Sequence, residues 1–176
     1  MRILVAVASG KRGTRFLAEA LGDQFASRGL TVDVLEPGEI AGFDDYDAVL
    51  VGASLSGGRW RRDARQFVRD HADSLADRPV WLFSSRKAGD RSTVDVQDVN
   101  MGSIVRDIGV HEHRVFDVPS ERMLRRAKKK PLEGGMNRFD EVAEWAQYIL
   151  EQLSTHLIWM MGAAEVNLPT PESSNR

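Results

Sequence analysis

Apolar residues in this chain fall into short, nearly continuous runs, separated by segments in which they recur with helical spacing. The runs predict five β-strands, at residues 2–8, 31–35, 47–52, 79–84 and 112–118. The helical spacing predicts four helices, at about 14–28, 61–76, 98–108 and 138–154. Strands that alternate regularly with helices pair in parallel and are covered on both faces. The chain is therefore predicted to be an α/β protein.

The order of the strands in the sheet follows from the connections between them. Right-handed crossovers, five strands and a short final helix predict the order 2-1-3-4-5. Thr14 is expected to cap the first helix and Gly29 to end it. In this strand order a ligand crevice forms at the carboxyl ends of strands 1 and 3. The loops that bear on function are therefore 9–14, 53–60 and 85–97.

The composition limits the classes of function. With 176 residues, 42% of them hydrophobic, the chain can bury one full core, so a single domain is expected. The net charge of -2 gives no general attraction to nucleic acid, and no such partner is expected. The chain has no cysteine, which excludes disulfides, thiol catalysis and thiolate metal sites. Because Met1 leads straight into the first strand and no apolar run approaches the roughly 20 residues of a membrane span, we expect no signal peptide and a cytoplasmic protein.

Two segments fall outside the alternating pattern. Residues 118–137 are too long for a tight connection and are predicted to form a basic insert loop within a domain of residues 1–154. Six of the nine residues at 122–130 are basic, which predicts a solvated loop or a contact with an anionic membrane surface or an acidic protein partner. Residues 155–176 start with an apolar patch and end in Pro, Ser and Asn, so we expect a partly disordered tail.

The loop after strand 1 has the chemistry of a phosphate site. It supplies two hydroxyls, two cations and two glycines at consecutive positions: Ser9, Gly10, Lys11, Arg12, Gly13 and Thr14. An anion at a helix N-terminus needs such donors, positive potential and a backbone that it can approach. A tight turn whose cations face water is the alternative.

Other kinds of phosphate site lack their motifs. There is no G-x-x-x-x-G-K-[ST] for a P-loop and no G-x-G-x-x-G for a dinucleotide. A phosphatase of similar topology would need a cysteine, and Ser9 has no visible base to activate it. A receiver domain would need an aspartate at the end of strand 3, where the chain reads VLVGASL. A mononucleotide held by its phosphate is the ligand that these exclusions leave.

The second loop, GASLSGGRW, favours the same ligand. Gly57 and Gly58 let the backbone approach a flat ring, while Trp60 either offers a stacking surface or packs against the sheet edge. Positive potential comes from Arg59 and from two arginines that are expected mainly to solvate the start of a helix, Arg61 and Arg62.

Residues with acid–base or metal-binding chemistry give weaker signals. His111 and His113 alternate along a predicted strand and should share a face, and without a third ligand we expect edge-strand histidines rather than a metal site. Asp90, Asp95 and Asp98 are either proton acceptors near a ring or, more simply, part of a solvated loop. No Ser, His and Asp set can be assembled from the sequence, so no catalytic residue is predicted.

Three stretches resemble one family: GRW at 58–60 with the helix after it, RPVWLFSS at 78–85 and RFDEVAEWA at 138–146. Together with ILVAVASGKRGTRFLAEAL and EHRVF, they resemble flavodoxin-domain proteins of the menaquinone-dependent protoporphyrinogen oxidase type over about residues 2–153. The resemblance implies a flavodoxin-like fold, with a five-stranded parallel sheet and a basic loop where 118–137 lies.

The resemblance also implies an FMN-binding oxidoreductase or electron-transfer protein with a small-molecule or quinone electron acceptor. The implied FMN contacts are the six residues of the first loop together with Ala53, Ser54, Leu55, Ser56, Gly57, Gly58, Trp60, Ser84, Ser85 and Arg86. A homodimer and an association with a membrane surface stay open. The alternative is a flavodoxin-fold protein that binds no flavin and acts as a binding or regulatory module.

Two departures from the family pattern bear on the cofactor. Phosphate loops of flavodoxins resemble [ST]-x-[ST]-G-x-T, and here Lys11 and Arg12 stand where the second hydroxyl and the glycine would be. Ser56 stands where relatives usually carry a tyrosine whose ring faces the flavin. We therefore expect stacking to rest on Trp60 or Leu55, and flavin to bind weakly.

Overall fold

The computed structural model describes residues 1–8, 12–88, 102–118 and 136–165. Its strands are β1 (Arg2–Val7), β2 (Thr31–Leu35), β3 (Ala48–Ser56), β4 (Arg59–Trp60), β5 (Val80–Lys87) and β6 (Val110–Val118). Its helices are α1 (Arg12–Ala26), α2 (Arg62–Asp70), α3 (Ala72–Ala76), α4 (Gly102–Asp107) and α5 (Met136–Glu165), with a 3-10 turn at Pro37–Glu39. Strands and helices alternate, which confirms the predicted α/β class.

Five strands form a parallel sheet in the order β2-β1-β3-β5-β6. Counted without β4, this is the predicted order 2-1-3-4-5. The two-residue strand β4 was not predicted, and it pairs antiparallel with the end of β3. Because β1, β3 and β5 are neighbours, the loops that follow them leave the sheet side by side.

The sheet is buried on both faces. On one face, the alternating residues Ile3, Val5 and Val7 of β1 pack with α1 and α5. On the other face, Leu4 and Ala6 pack with α2, α3 and the end of α4. Continuous apolar runs in the strands are therefore the consequence of helices on both sides.

Two strands are longer than their apolar runs. β3 extends to Ser56 and β5 to Lys87, beyond the predicted ends at 52 and 84. Backbone pairing continues there through small and polar residues, with Ala53 opposite Ser84. Hydrophobic patterning ends earlier than backbone hydrogen bonding, so the sequence alone placed these strand ends too early.

Two helix predictions are corrected by the structure. The predicted helix at 61–76 is divided into α2 and α3 at His71, whose φ of -117° and ψ of 19° are not helical. Thr14 does not cap α1, because the helix already begins at Arg12 and Thr14 lies inside its first turn.

The end of α1 confirms the role predicted for Gly29. The φ of Gly29 is +82°, and its N–H donates to the carbonyl of Ala26 at 2.9 Å. The N–H of Leu30 donates to the carbonyl of Phe25 at 3.3 Å. This pair of bonds is a Schellman motif, which requires a left-handed residue at the position that Gly29 occupies.

Helix α5 continues to Glu165, so the predicted domain boundary at residue 154 lies inside a helix. Its buried side chains include Trp145, Ile149 and Leu153, which pack in the same core cluster as residues of α1. Residues 119–135 and 166–176 lie outside the described residues. The basic insert loop and the disordered end of the tail therefore stay predictions.

Gly52 in β3 makes room for an aromatic ring. It lies opposite Phe83 of β5, and a Cβ at residue 52 would lie 2.0 Å from Cζ of that ring. The Phe83 ring also packs against Trp145 of α5, with ring centroids 6.4 Å apart. The ring therefore cannot move away from β3 without disturbing α5.

Gly52→Ala is expected to lower the free energy of unfolding by about 1–3 kcal/mol, because the added methyl overpacks the core against Phe83. Urea denaturation measures this change. The loss should be smaller in a Phe83→Leu background, where the ring is gone. Gly42→Ala is the control, since a Cβ at residue 42 meets nothing within 4 Å. Equal losses at residues 42 and 52 would contradict the packing argument.

Candidate functional site

The three loops predicted to hold a ligand begin side by side at the carboxyl edge of the sheet. They follow β1, β3 and β5, which are adjacent and parallel. Ser9, Gly10 and Lys11 of the first loop lie outside the described residues. The rest of that loop, from Arg12 to Thr14, forms the first turn of α1.

Two hydroxyls join the first loop to the third. Thr14 of α1 and Ser85 of β5 are both buried, and their Oγ atoms lie 2.7 Å apart. Gly13 lets the same turn approach β6, because a Cβ there would lie 2.7 Å from Cγ2 of Val118. The first N–H groups of a helix have no partner within it, so this turn combines amide and hydroxyl donors.

The second loop is a two-residue hairpin. β4 folds back on β3 with Leu55 opposite Trp60. At its tip, Gly57 has a φ of +57° and Gly58 a φ of +76°. Two successive positive φ values are required by a type I′ turn, and glycine adopts them without strain. The glycine pair therefore sets the sharp reversal of this loop.

The residues of the second loop that the resemblance implies as FMN contacts differ in their exposure to solvent. Ser56 and Gly57 at the tip of the hairpin are exposed. Ala53, Ser54 and Leu55 are buried within the sheet. The tip is therefore the described part of the second loop that a ligand can reach.

Trp60 belongs to the core and offers no surface for stacking. Its side chain is 2% exposed, and its Nε1–H donates to Ser84 Oγ at 2.7 Å. Its ring meets that of His113 edge to face, with centroids 6.1 Å apart and an angle of 88°. Of the two interpretations that the sequence left open for Trp60, the structure supports packing against the sheet.

A β-bulge places the two histidines of β6 on opposite faces. The register between β5 and β6 shifts just before Trp81, and His111 stacks on that ring at 4.8 Å, on the α1 and α5 side. His113 instead contacts Ser84 and Trp60, on the α2 side. The prediction that the histidines share a face is wrong, because the extra residue of a bulge breaks the two-residue alternation of a strand.

Burial keeps His113 neutral. Its Nε2 lies 2.7 Å from Ser84 Oγ, and burial lowers the pKa of the ring from 6.5 to about 4. Because Trp60 already donates to Ser84 Oγ, the hydroxyl proton of Ser84 can point to Nε2 of a neutral ring. The ring then carries its own proton on Nδ1, which is buried and has no hydrogen-bond partner among the described residues. Protonation of Nε2 would remove the acceptor that Ser84 uses.

The third loop is held by an ion pair that the sequence did not reveal. Arg86 at the end of β5 donates through Nε to Oδ1 of Asp117 in β6, at 2.8 Å. The two residues face each other in the sheet register. Asp90, Asp95 and Asp98 of this loop lie outside the described residues, so their predicted role is untested.

A cavity of about 470 Å³ opens beside the end of β1, on the α2 side. Its walls include Val7, Ala8, Glu36, Phe67 and His71. The hairpin and β5 do not contribute to its walls, so it lies on the flank of the predicted crevice.

In the part of the chain that the structure describes, no group of three or more His, Cys, Asp or Glu side chains could hold a metal ion. Nor does any helix there combine the length and the apolar character that crossing a membrane requires.

The family of the chain is decided by its sequence from β1 to the start of β6. A family model described as Flavodoxin domain matches residues 4–111. The chain belongs to the flavodoxin-domain family. None of the curated proteins matches this flavodoxin-domain protein.

Solved structures show the same fold. Flavodoxin 1 from Bacillus cereus matches with a TM-score of 0.61 at 14% identity, over 86% of this chain and 98% of that one. Megasphaera elsdenii flavodoxin matches with a TM-score of 0.57 at 18% identity, over 82% and 97% of the two chains. Rubredoxin oxygen:oxidoreductase from Desulfovibrio gigas has a TM-score of 0.62 at 16% identity, over 89% of this chain. The match covers only 37% of that protein's length, and at such identities the likeness shows the fold alone.

The neutral His113 should make the stability of this flavodoxin-domain protein depend on pH. Its folded-state pKa of about 4 lies below the ordinary 6.5, so the unfolded state binds more protons between these values and stability is lost as the pH falls. The expected loss in the free energy of unfolding is at most about 3 kcal/mol from this residue.

His113→Gln keeps an acceptor for Ser84 but cannot be protonated in this range. Urea denaturation over pH 4 to 6.5 gives the free energy of unfolding of the wild type and of the variant as a function of pH. Carboxylates titrate in both proteins, so the difference between the two curves reports the contribution of His113. An identical slope in the two proteins would show that His113 does not titrate as described.

Proposed function

We propose that this flavodoxin-domain protein binds FMN at the carboxyl edge of its sheet and transfers electrons. The observation that carries the proposal is the pair of hydroxyls of Thr14 and Ser85, at the first turn of α1 and in the strand next to the glycine hairpin. Membership of the flavodoxin-domain family supports a flavin cofactor. When bound, FMN supplies the redox chemistry, and the protein supplies binding, orientation and electrostatics.

The start of α1 fits a phosphate through the amides of its first turn and the exposed Arg12, which adds positive charge. The buried Thr14 hydroxyl would join them by exchanging its bond to Ser85 for one to the phosphate. We include Ser9, Gly10 and Lys11 in this phosphate site on the strength of their chemistry and their position before the helix.

The hairpin fits the edge of a flat ring. Gly57 has no side chain to cover its exposed backbone groups, Ser56 is exposed beside it, and Gly58 is buried behind the tip. Ser84 and Arg86 have a different role, because each is engaged by protein partners. They hold the loops in position, and we assign them as positioning residues.

The narrower proposal is an oxidoreductase of the protoporphyrinogen oxidase type with a quinone or other small-molecule acceptor. It rests on the motifs GRW, RPVWLFSS and RFDEVAEWA. The contact of residues 122–130 with an anionic membrane surface or an acidic protein, and the homodimer, belong to the same proposal.

A flavin-free binding or regulatory module is the second candidate. The burial of Trp60 favours it, because the aromatic side chain of the second loop is used to pack the sheet. Ser56 offers no ring in its place. Flavin binding would then depend on phosphate contacts and backbone groups.

Thr14→Val tests the phosphate site. If its hydroxyl bonds a charged phosphate, the variant should lose about 1.5–3 kcal/mol of FMN binding, roughly a 10- to 150-fold weaker Kd in fluorescence titration. Thr14→Ser, which keeps the hydroxyl, is the matched control. Because Thr14 also bonds Ser85, the unfolding free energy of each apo protein is measured first. Unchanged FMN affinity in a folded Thr14→Val variant would overturn the assignment.

Ser56→Tyr tests the position of the ring. A tyrosine at the exposed tip should add stacking worth about 0.5–1.5 kcal/mol, a roughly twofold to tenfold tighter Kd for FMN. Ser154→Tyr, at an exposed position of α5, should leave the affinity unchanged. If neither the wild type nor Ser56→Tyr binds FMN at the highest concentration used in the titration, the result favours the flavin-free module.

A further inference from the structure

Five cations lie around the glycine hairpin at the carboxyl edge of the sheet. They are Arg59 in β4, Arg61 and Arg62 at the start of α2, and Arg86 and Lys87 at the end of β5. We call this set the basic rim. β3 and β5 are adjacent strands, so the cations of the second and third loops lie at the same edge.

Few carboxylates balance the basic rim. Oδ1 of Asp63 lies 3.5 Å from Nε of Arg61. Oδ1 of Asp117 accepts a hydrogen bond from Nε of Arg86 at 2.8 Å. Arg59, Arg62 and Lys87 are exposed, and none of them forms an ion pair with a described residue. The rim therefore presents a surplus of positive charge to solvent.

The charges of the chain are unevenly distributed along the strand direction. Exposed aspartates lie around the amino edge of the sheet, at Asp44, Asp45, Asp47, Asp73, Asp77 and Asp107, among fewer arginines. At the carboxyl edge the exposed carboxylates of the described residues are fewer than the cations, at Glu36, Glu39, Asp63 and Asp117. The net charge of -2 therefore hides a basic edge at the candidate site.

We propose that the basic rim is the docking surface for an acidic redox partner protein. The proposal rests on the proposed function, because a partner docked on the rim lies next to the hairpin. Four of the five rim cations are arginines, whose planar guanidinium binds carboxylates through two N–H groups. A local surplus of one sign of charge speeds the encounter with an oppositely charged partner and orients it.

A lipid bilayer fits the rim less well than a protein does. Stable association with a membrane surface combines basic residues with an inserted apolar group. Among residues 1–8, 12–88, 105–118 and 140–156, the exposed large apolar side chains are Met1 and Tyr148. Met1 precedes β1 at the amino edge, and Tyr148 lies on α5, so neither belongs to the rim.

The test uses the full-length, ¹⁵N-labelled protein titrated at low salt with a peptide of twenty glutamates, followed by NMR. The amides of residues 57–62 and 86–88 should shift, and the affinity should fall as salt is added. Arg59→Glu/Arg62→Glu should weaken binding about tenfold or more. Arg28→Glu/Arg69→Glu is the matched control, since both arginines are exposed, lie outside the rim and give the same change in charge. It should change the affinity by about twofold at most.

Equal weakening by the two double variants, or shifts confined to residues 122–130, would overturn the proposal. A membrane surface as the true partner would overturn it too. In that case the peptide would not shift the rim amides, and the wild type, but not Arg59→Glu/Arg62→Glu, would bind vesicles of phosphatidylglycerol and not vesicles of phosphatidylcholine. FMN titration of the same samples separates the two proposals. Peptide binding on the rim without FMN binding supports a docking surface for an acidic protein but contradicts the proposed function, and with it the redox role of the partner. FMN binding without peptide binding on the rim contradicts the docking surface alone.

Discussion

The candidate site depends on two adjacent serines at the end of β5. Successive side chains of a strand point to opposite faces. Ser84 therefore reaches Trp60 and His113 on the α2 side, while Ser85 reaches Thr14 on the α1 side. One dipeptide thus connects the hairpin, β6 and the first turn of α1. Because both hydroxyls are buried, the loss of either would remove hydrogen bonds in a medium where such bonds are strong.

The packing of Trp60 in the core determines which groups the carboxyl edge of the sheet can offer a ligand. An indole that donates to Ser84 of β5 and packs on His113 of β6 cannot also lie flat on a bound ring. The edge is left with hydroxyls, backbone groups of the glycine tip and a surplus of cations. Recognition by hydrogen bonds and charge, rather than by aromatic stacking, is the common basis of the proposed phosphate site and of the basic rim.

Much of the fold was predictable from the sequence, because it depends on burial. Strands buried on both faces must be apolar throughout, and a left-handed helix end must be glycine, so the strand runs and Gly29 were both recognised. The errors occur where backbone hydrogen bonding continues without apolar side chains. The ends of β3 and β5 and the short β4 are of this kind. The division of the second helix is the opposite case, because the helical pattern continues through His71 while its backbone is not helical.

The sequence by itself determined the class of fold, the strand order and the three loops that meet at the carboxyl edge, since all of these follow from periodicity and chain connectivity. Only the tertiary structure decided which polar residues face one another. The bulge before His113 and the burial of Trp60 each depend on contacts between segments far apart in the chain. No local pattern encodes such contacts, because the same serine or tryptophan suits a ligand site and a packed sheet equally well until its neighbours in space are known.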